Sequence, residues 1–307
     1  MNPVLIVVPD ALAAMHEKLF SDQGRAWIAD LPRLAEEYLL RWDLTPDGPS
    51  RHGWVGLVLP VRRSDGTPAA LKLQPVDEET ETEPVGLRLW NGRGAVHLLD
   101  HDPATGTMLL ERLDADRSLA DVPDETEALT ILSGLLARLT AMPAPAGLRT
   151  LADIAGRMVQ DAPEAVTRLS DPGDRDLLRH CAGVVADLLP EPGDRMLHWD
   201  LHYENVLAGE REPWLAIDPK PLAGDPCFDL MPALDNRWEE IVATGDVARA
   251  VRRRFDLMTE VVGLPRQRAA GWTLGRVLQN VLWDIEDGET RISGPQFAIG
   301  DALRGLT

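Results

Sequence analysis

The chain has 307 residues, 44% of them hydrophobic and 26% charged, a balance that suits one or two buried cores and excludes a disordered or fibrous protein. Lys and Arg total 31 against 50 Asp and Glu, giving a net charge of -19. Such acidity repels phosphate backbones and anionic bilayers, so neither nucleic acid nor membrane is an expected partner, whereas a cationic small molecule would be attracted.

The apolar run Val4 to Val8 is stopped by Pro9 and Asp10 and has no Lys or Arg before it, too short and wrongly flanked for a signal peptide. No stretch reaches the roughly 20 apolar residues of a membrane span. The cytoplasm is the expected location.

The next segments predict a β-rich N-terminal part. Trp54 to Val61 and Ala69 to Gln74 are short β-compatible runs, and Ser64-Asp65-Gly66-Thr67 between them signals a hairpin turn. Glu78 to Trp90 predicts a helix with Val85, Leu87, Leu89 and Trp90 as apolar positions, ended by Asn91-Gly92; Pro84 is tolerated only in its first turn. Ala95 to Leu99 and Gly106 to Leu113 predict two further strands around Asp102-Pro103.

Beyond Leu113 the pattern changes. Glu125 to Met142 places Leu129, Leu132, Leu135, Leu136 and Leu139 on one helical face, and Leu177 to Leu189 repeats that style. Two regions are therefore expected, an N-terminal lobe over residues 1–113 and a mainly helical C-terminal lobe over residues 114–307. The strands Asn205 to Ala208 and Trp214 to Ile217 interrupt the helices as a hairpin around Gly209 to Pro213. Cys181 and Cys227 sit in apolar contexts without metal-ligand spacing, so neither a disulfide framework nor a zinc site is expected.

The reactive side chains concentrate at both ends of that hairpin. His198-Trp199-Asp200-Leu201-His202-Tyr203-Glu204-Asn205 is followed by Asp218 at the end of Leu215-Ala216-Ile217-Asp218. An Asp on a loop can accept the proton of an attacking hydroxyl, an Asn five residues on can ligate a divalent metal, and an Asp after an apolar strand can ligate it as well. Singly, each residue is better read as a cap or a strand end, and His198 and His202 as core histidines. As an ordered set with kinase-loop spacing they point to phosphoryl transfer.

HWDLHYEN and AIDPKPLAGDPCFDL resemble the catalytic and metal-binding segments of aminoglycoside phosphotransferases, and within that group the streptomycin 6-kinase and hydroxyurea phosphotransferase family. The resemblance runs from about Trp54 to Trp283 through LKLQP, LWNGRGAVHLLD and LLERLD. It implies an α+β, protein-kinase-like bilobal fold, with a small antiparallel N-lobe sheet plus one helix and a mainly helical C-lobe. ATP would bind between the lobes and pass its γ-phosphate to a hydroxyl of an aminoglycoside or aminocyclitol, streptomycin first.

Position by position, the resemblance makes Asp200 the catalytic base and Asn205 and Asp218 the magnesium ligands. Lys72 would pair with the α- and β-phosphates and Glu83 would orient it, with Glu79 and Glu81 competing for that part. The backbone of Glu111 to Leu113 would meet the adenine, and the segment Arg51 to Gly56 would cover the phosphates. Asp225 and Asp229 are expected to cap and orient neighbouring segments, and Lys220 to meet the transferred phosphate or an acidic partner. Asp235, Glu239, Asp284, Glu286 and Asp287 are candidates for receiving cationic groups of the acceptor, or a solvated helix face. Kinases of other small metabolites, such as an amino sugar or hydroxyurea, and a non-catalytic nucleotide-binding module remain alternatives. A protein kinase is disfavoured, because D-F-G and A-P-E bracketing an activation segment are missing.

Overall fold

The computed structural model describes residues 6–307, so Val4 and Leu5 of the N-terminal apolar run lie outside it. The chain forms two compact units, the first reaching to Asp114 and including Gly209–Arg211, the second comprising Ala115–Ala208 and Glu212–Thr307.

In the first unit, α1 (Asp10–Arg41) precedes β1 (Leu44–Pro46), β2 (Arg51–His52), β3 (Leu57–Arg63), β4 (Pro68–Leu73), α2 (Glu83–Trp90), β5 (Leu98–Asp102) and β6 (Thr107–Glu111). The strands make one antiparallel sheet ordered β1-β3-β4-β6-β5, with β2 on β3. Leu12, Leu31, Ala35 and Tyr38 of α1 share one core with Leu57, Leu59 and Val61 of β3 and Leu71 and Leu73 of β4. Burial of each such leucine stabilises the fold by about 1.5–3 kcal/mol. Tyr38 pins the helix further, its hydroxyl donating to Asp102 Oδ2 at 2.7 Å.

This long helix is additional to the single helix expected here. It is bent at Ser21, where φ is 49°. The other helix is shorter than its apolar pattern suggests: it begins at Glu83, not Glu78. Asp77 Oδ1 accepts from the amides of Glu79 and Thr80 at 2.9 and 2.8 Å, a local turn that competes with helix formation. Asn91, in the left-handed conformation at φ 47°, ends α2 as predicted. Strand β5 lies three residues later than the Ala95 start expected, with an irregular register between Leu98 and Asp100.

In the second unit, β7 (Asp114–Ser118) leads to α3 (Glu125–Thr140), α4 (Leu151–Arg168), α5 (Pro172–Leu188), β8 (Arg195–Leu197), β9 (Val206–Ala208), β10 (Trp214–Ala216) and β11 (Leu222–Gly224). Helices α6 (Met231–Leu234), α7 (Trp238–Ala243), α8 (Val247–Val262), α9 (Arg266–Glu286) and α10 (Gly294–Leu303) complete it. The β9–β10 hairpin is joined by β7, and β11 pairs with β8. Asp124, Thr150, Asp171 and Asp246 cap α3, α4, α5 and α8 through their side chains. Helix α9 is buried along most of its length. It lies so close to α5 that a Cβ on Gly271 would stand 2.7 Å from Leu188.

Among the described residues no helix is long and apolar enough to cross a membrane. Cys181 and Cys227 are unpaired and buried; burial pushes the Cys181 thiol up to about 12 and Cys227 upward too, so both are inert.

Candidate functional site

In the first unit, β4 carries Lys72 and α2 opens with Glu83. Lys72 Nζ donates to both carboxylate oxygens of Glu83 at 2.8 Å, and Gln74 Nε2 adds a third bond at 2.7 Å. The Lys72 and Glu83 side chains are 7% and 3% exposed, so this is a buried, charge-assisted pair held on a strand and a helix. Of the three glutamates weighed for that position, Glu83 is the one Lys72 holds. Pro84 accounts for its placement, since a proline early in the helix leaves Glu83 on its first turn.

The segment Arg51 to Gly56 turns tightly between β2 and β3, with the Gly53 amide donating to Gly56 O at 3.0 Å. A Cβ on Gly56 would lie 3.3 Å from Leu73 O and 3.7 Å from Lys72 Cε, so glycine lets this hairpin approach the Lys72 strand. His16 of α1 braces it through Nε2 and the Val55 carbonyl at 2.8 Å. Glu111 ends β6 with its amide donating to His97 O at 2.9 Å and its carboxylate held by Arg211 Nη2 at 2.9 Å. Leu113 follows it and is buried.

In the second unit, the two ends of the β9–β10 hairpin are stitched together. The Ile217 amide donates to Asn205 O at 2.9 Å and the Lys220 amide to His198 O at 3.0 Å. His198 Nε2 donates to Ile217 O at 3.1 Å. These bonds hold the segment 198–205 against 217–220, so Asp200, Asn205, Asp218 and Lys220 belong to one locality. His198 is fully buried, and burial holds its pKa down at about 4; it is a neutral spacer at any working pH.

Asp200 sits on the loop between β8 and β9. Burial works to raise its pKa, but Lys220 Nζ, 3.4 Å from Oδ2, together with His202, Arg276 and His198, holds it below the usual carboxylate value. Asp200 is thus ionised at neutral pH and able to accept a proton. Asn205 Nδ2 donates to the Asp200 carbonyl at 2.9 Å, which commits the amide nitrogen and leaves the amide oxygen as the atom that could ligate a metal. Asp218 supplies a carboxylate from a left-handed backbone at φ 53°. One amide oxygen and one carboxylate make a hard-oxygen donor pair that suits magnesium, which fills its shell with water and nucleotide phosphates. Among the described residues no cluster of three or more His, Cys, Asp or Glu would cage a metal alone.

Asp229 positions this loop. Its carboxylate accepts the amides of His198 at 2.7 Å and Trp199 at 3.0 Å, and burial lifts its pKa to about 6 despite those bonds. Asp225 caps the short turn that follows β11, accepting from the Cys227 amide at 2.9 Å. Both act as sequence reasoning anticipated.

A polar cluster lies beside Asp200. His202 Nδ1 meets Glu204 Oε2 at 2.8 Å, and Asn236 Nδ2 donates to the same oxygen at 3.0 Å. Burial opposes a charge on His202, yet Glu204, Asp200 and Asp235 together hold its pKa above the ordinary value. Asp235 accepts from Gln296 at 3.2 Å, and burial raises its pKa to about 6 against the pull of Arg276 and His202. Of Asp235, Glu239, Asp284, Glu286 and Asp287, Asp235 is the one coupled electrostatically to His202 and Asp200. Arg276, on α9, escaped sequence reasoning: an arginine within a buried helical run has no motif to betray it.

The raised pKa of Asp235 has a sign. Between about 4 and 6 the folded state holds more protons at this carboxyl than the unfolded chain, so its contribution to stability falls as pH rises through that window. Asp235→Asn is therefore expected to raise stability at pH 7–8 by on the order of 1 kcal/mol and to change little at pH 4. Thermal melts of both proteins at the two pH values check this; an equal shift at both would show that charge is not the cause.

A small antiparallel sheet with a buried Lys-Glu pair, and a mainly helical unit carrying an Asp…Asn…Asp loop, define a kinase of the protein-kinase-like class. The solved structure of a thermostable mutant of aminoglycoside phosphotransferase APH(4)-Ia, in ternary complex with ADP and hygromycin B, has this fold. It superposes with TM-score 0.59 at 14% identity, covering 88% of this chain and 97% of that one. The aminoglycoside/hydroxyurea antibiotic resistance kinase model matches residues 41–288, and the chain belongs to that family. It is 62% identical over 301 residues to streptomycin 6-kinase of Streptomyces glaucescens, covering 98% of each chain. It is 52% identical over 303 residues to hydroxyurea phosphotransferase of Kitasatospora aureofaciens, covering 98% of this chain and 87% of that one. The chain is accordingly a phosphotransferase, with a hydroxyl as its acceptor class.

Proposed function

We propose that the chain is a cytoplasmic streptomycin 6-phosphotransferase that moves the γ-phosphate of ATP to a hydroxyl of the aminocyclitol. The 62% identity to a streptomycin 6-kinase along 98% of both chains carries this reading, and the acidic cluster around Asp235 supports it. Burial has already stripped much of the water from Asp235, so a guanidinium or ammonium group of the acceptor gains a charge-assisted bond at little further desolvation cost.

In this reading Asp200 accepts the proton of the acceptor hydroxyl as phosphorus is attacked. Lys220, 3.4 Å away, keeps Asp200 ionised and faces the charge that accumulates during transfer. Asn205 and Asp218 would hold magnesium, whose contribution is to neutralise the phosphate oxygens. The first unit is the nucleotide-binding one. Lys72, oriented by Glu83, meets the α- and β-phosphates, Gly53 and Gly56 let the β2–β3 hairpin cover them, and the Glu111 to Leu113 backbone meets the adenine.

The test is turnover by the purified protein with ATP and magnesium against streptomycin, an amino sugar and hydroxyurea. Streptomycin is expected to give the highest kcat/KM. Efficient phosphorylation of hydroxyurea with none of streptomycin would instead favour the second reading, for which the 52% relative speaks.

A further inference from the structure

Trp199 is 1% exposed and has φ 71°, a left-handed conformation that bulky residues adopt only when their surroundings force it. It directly precedes Asp200, and its carbonyl belongs to the peptide that joins the two residues. Besides Arg149, whose guanidinium lies 5.8 Å from the centre of the indole, three contacts hold it. Asp229 Oδ1 takes its amide at 3.0 Å, and Phe228 stacks on its ring at 5.2 Å with an interplanar angle of 29°. The third is Arg276, whose guanidinium lies 4.4 Å from the centre of the indole and whose Nη1 donates to the Trp199 carbonyl at 3.2 Å.

Arg276 is 6% exposed and comes from the buried middle of α9. Its guanidinium also lies 5.6 Å from the Phe228 ring and 5.7 Å from the Trp283 ring. A planar, permanently charged fork can lie on a ring and donate at its edge at once, which an ammonium cannot. Arg276 therefore holds both the side chain and the carbonyl of a residue in a costly conformation, and through that peptide it fixes the direction in which the Asp200 side chain leaves the backbone.

We propose that Arg276 is a positioning residue for phosphoryl transfer: by clamping the Trp199 indole and carbonyl it keeps Trp199 left-handed and so aims Asp200. The inference rests on the reading of Asp200 as the base, but not on the identity of the acceptor. It makes no contact with substrate necessary, so its signature is a loss in kcat without a loss in binding.

The experiment is a double-mutant cycle between Arg276→Lys and Trp199→Gly, run with whichever acceptor the wild type phosphorylates best, together with the crystal structure of the Arg276→Lys protein. The lysine keeps the buried positive charge near Asp200, Asp229 and Asp235 but loses the planar clamp. Arg276→Lys is expected to lower kcat by about 10²-fold, the scale of a small misplacement of a reacting group. KM for ATP and acceptor should stay within about twofold and the acid limb of the pH profile unmoved, since the charge remains. In the Trp199→Gly background, where a positive φ carries no penalty, the same change should cost about threefold or less. The crystal structure should show residue 199 out of the left-handed region. Equal losses in both backgrounds, a rise in KM with kcat intact, or Trp199 unmoved would each overturn the proposal. So would failure of the Arg276→Lys protein to fold, because the arginine would then be a structural residue. A wild type that ignores streptomycin would remove the proposed acceptor and leave this inference standing.

Discussion

Asp200→Ala is expected to lower kcat by about 10²–10⁴-fold, the usual contribution of a positioned general base, while leaving nucleotide affinity nearly intact. The geometry explains why the two effects should separate. Asn205 bonds to the backbone carbonyl of residue 200, and the stitches from Ile217 and Lys220 also run through main-chain atoms. Truncating the Asp200 carboxylate therefore removes the proton acceptor without loosening the loop that carries the proposed metal ligands. Lys220 would lose the Asp200 carboxylate at 3.4 Å, but its side chain is 35% exposed and tolerates the change. Steady-state kinetics with streptomycin, paired with calorimetric titration of a non-hydrolysable ATP analogue, gives both numbers. Wild-type turnover by this variant would remove Asp200 from the mechanism.

The second large effect is expected at the Lys72–Glu83 pair. Replacing Glu83 with Leu removes the carboxylate that takes two bonds from the buried Lys72 ammonium, at a cost of about 3–5 kcal/mol in stability. The double variant Lys72→Met, Glu83→Leu should recover most of that, because two well-packed apolar chains can replace a buried pair at little net cost. Turnover should not recover in either protein if Lys72 meets the nucleotide phosphates. Thermal melts read the first effect and kcat/KM for ATP the second. A double variant no more stable than the single, or a Glu83→Leu protein with wild-type turnover, would contradict the assignment.

How legible these features were depends on where the information lies. The hairpin between Asn205 and Ile217 could be read because two apolar runs flank a polar loop, and its backbone bonds then follow from strand pairing. The Asp…Asn…Asp set could be read because its chemistry demands particular residue types at fixed spacing. The start of α2 could not: five residues that look helical are diverted by the Asp77 side chain, a competition that apolar periodicity does not register. Helix α1 was hidden by charged residues among its apolar positions, by Pro32 and by the bend at Ser21. Arg276 lay deeper still, and Asp235 could be singled out only as one of five acidic candidates. Their importance comes from partners dozens of residues away, on elements that only the tertiary fold brings beside Asp200.

The piece Gly209–Arg211, which the chain places with the first unit, bears on how the protein is made. Arg211 binds Glu111 as well as the carbonyls of Gly92 and Ala95, so the first unit lacks part of its framework until that loop has been synthesised, roughly a hundred residues after Asp114. At ribosomal speeds of about 5–20 residues per second, the nascent strands and α2 wait for about 5–20 s with Glu111 unpaired by Arg211. A fragment ending at residue 113 reproduces that waiting state permanently, and chaperone association during translation should be concentrated in the same interval.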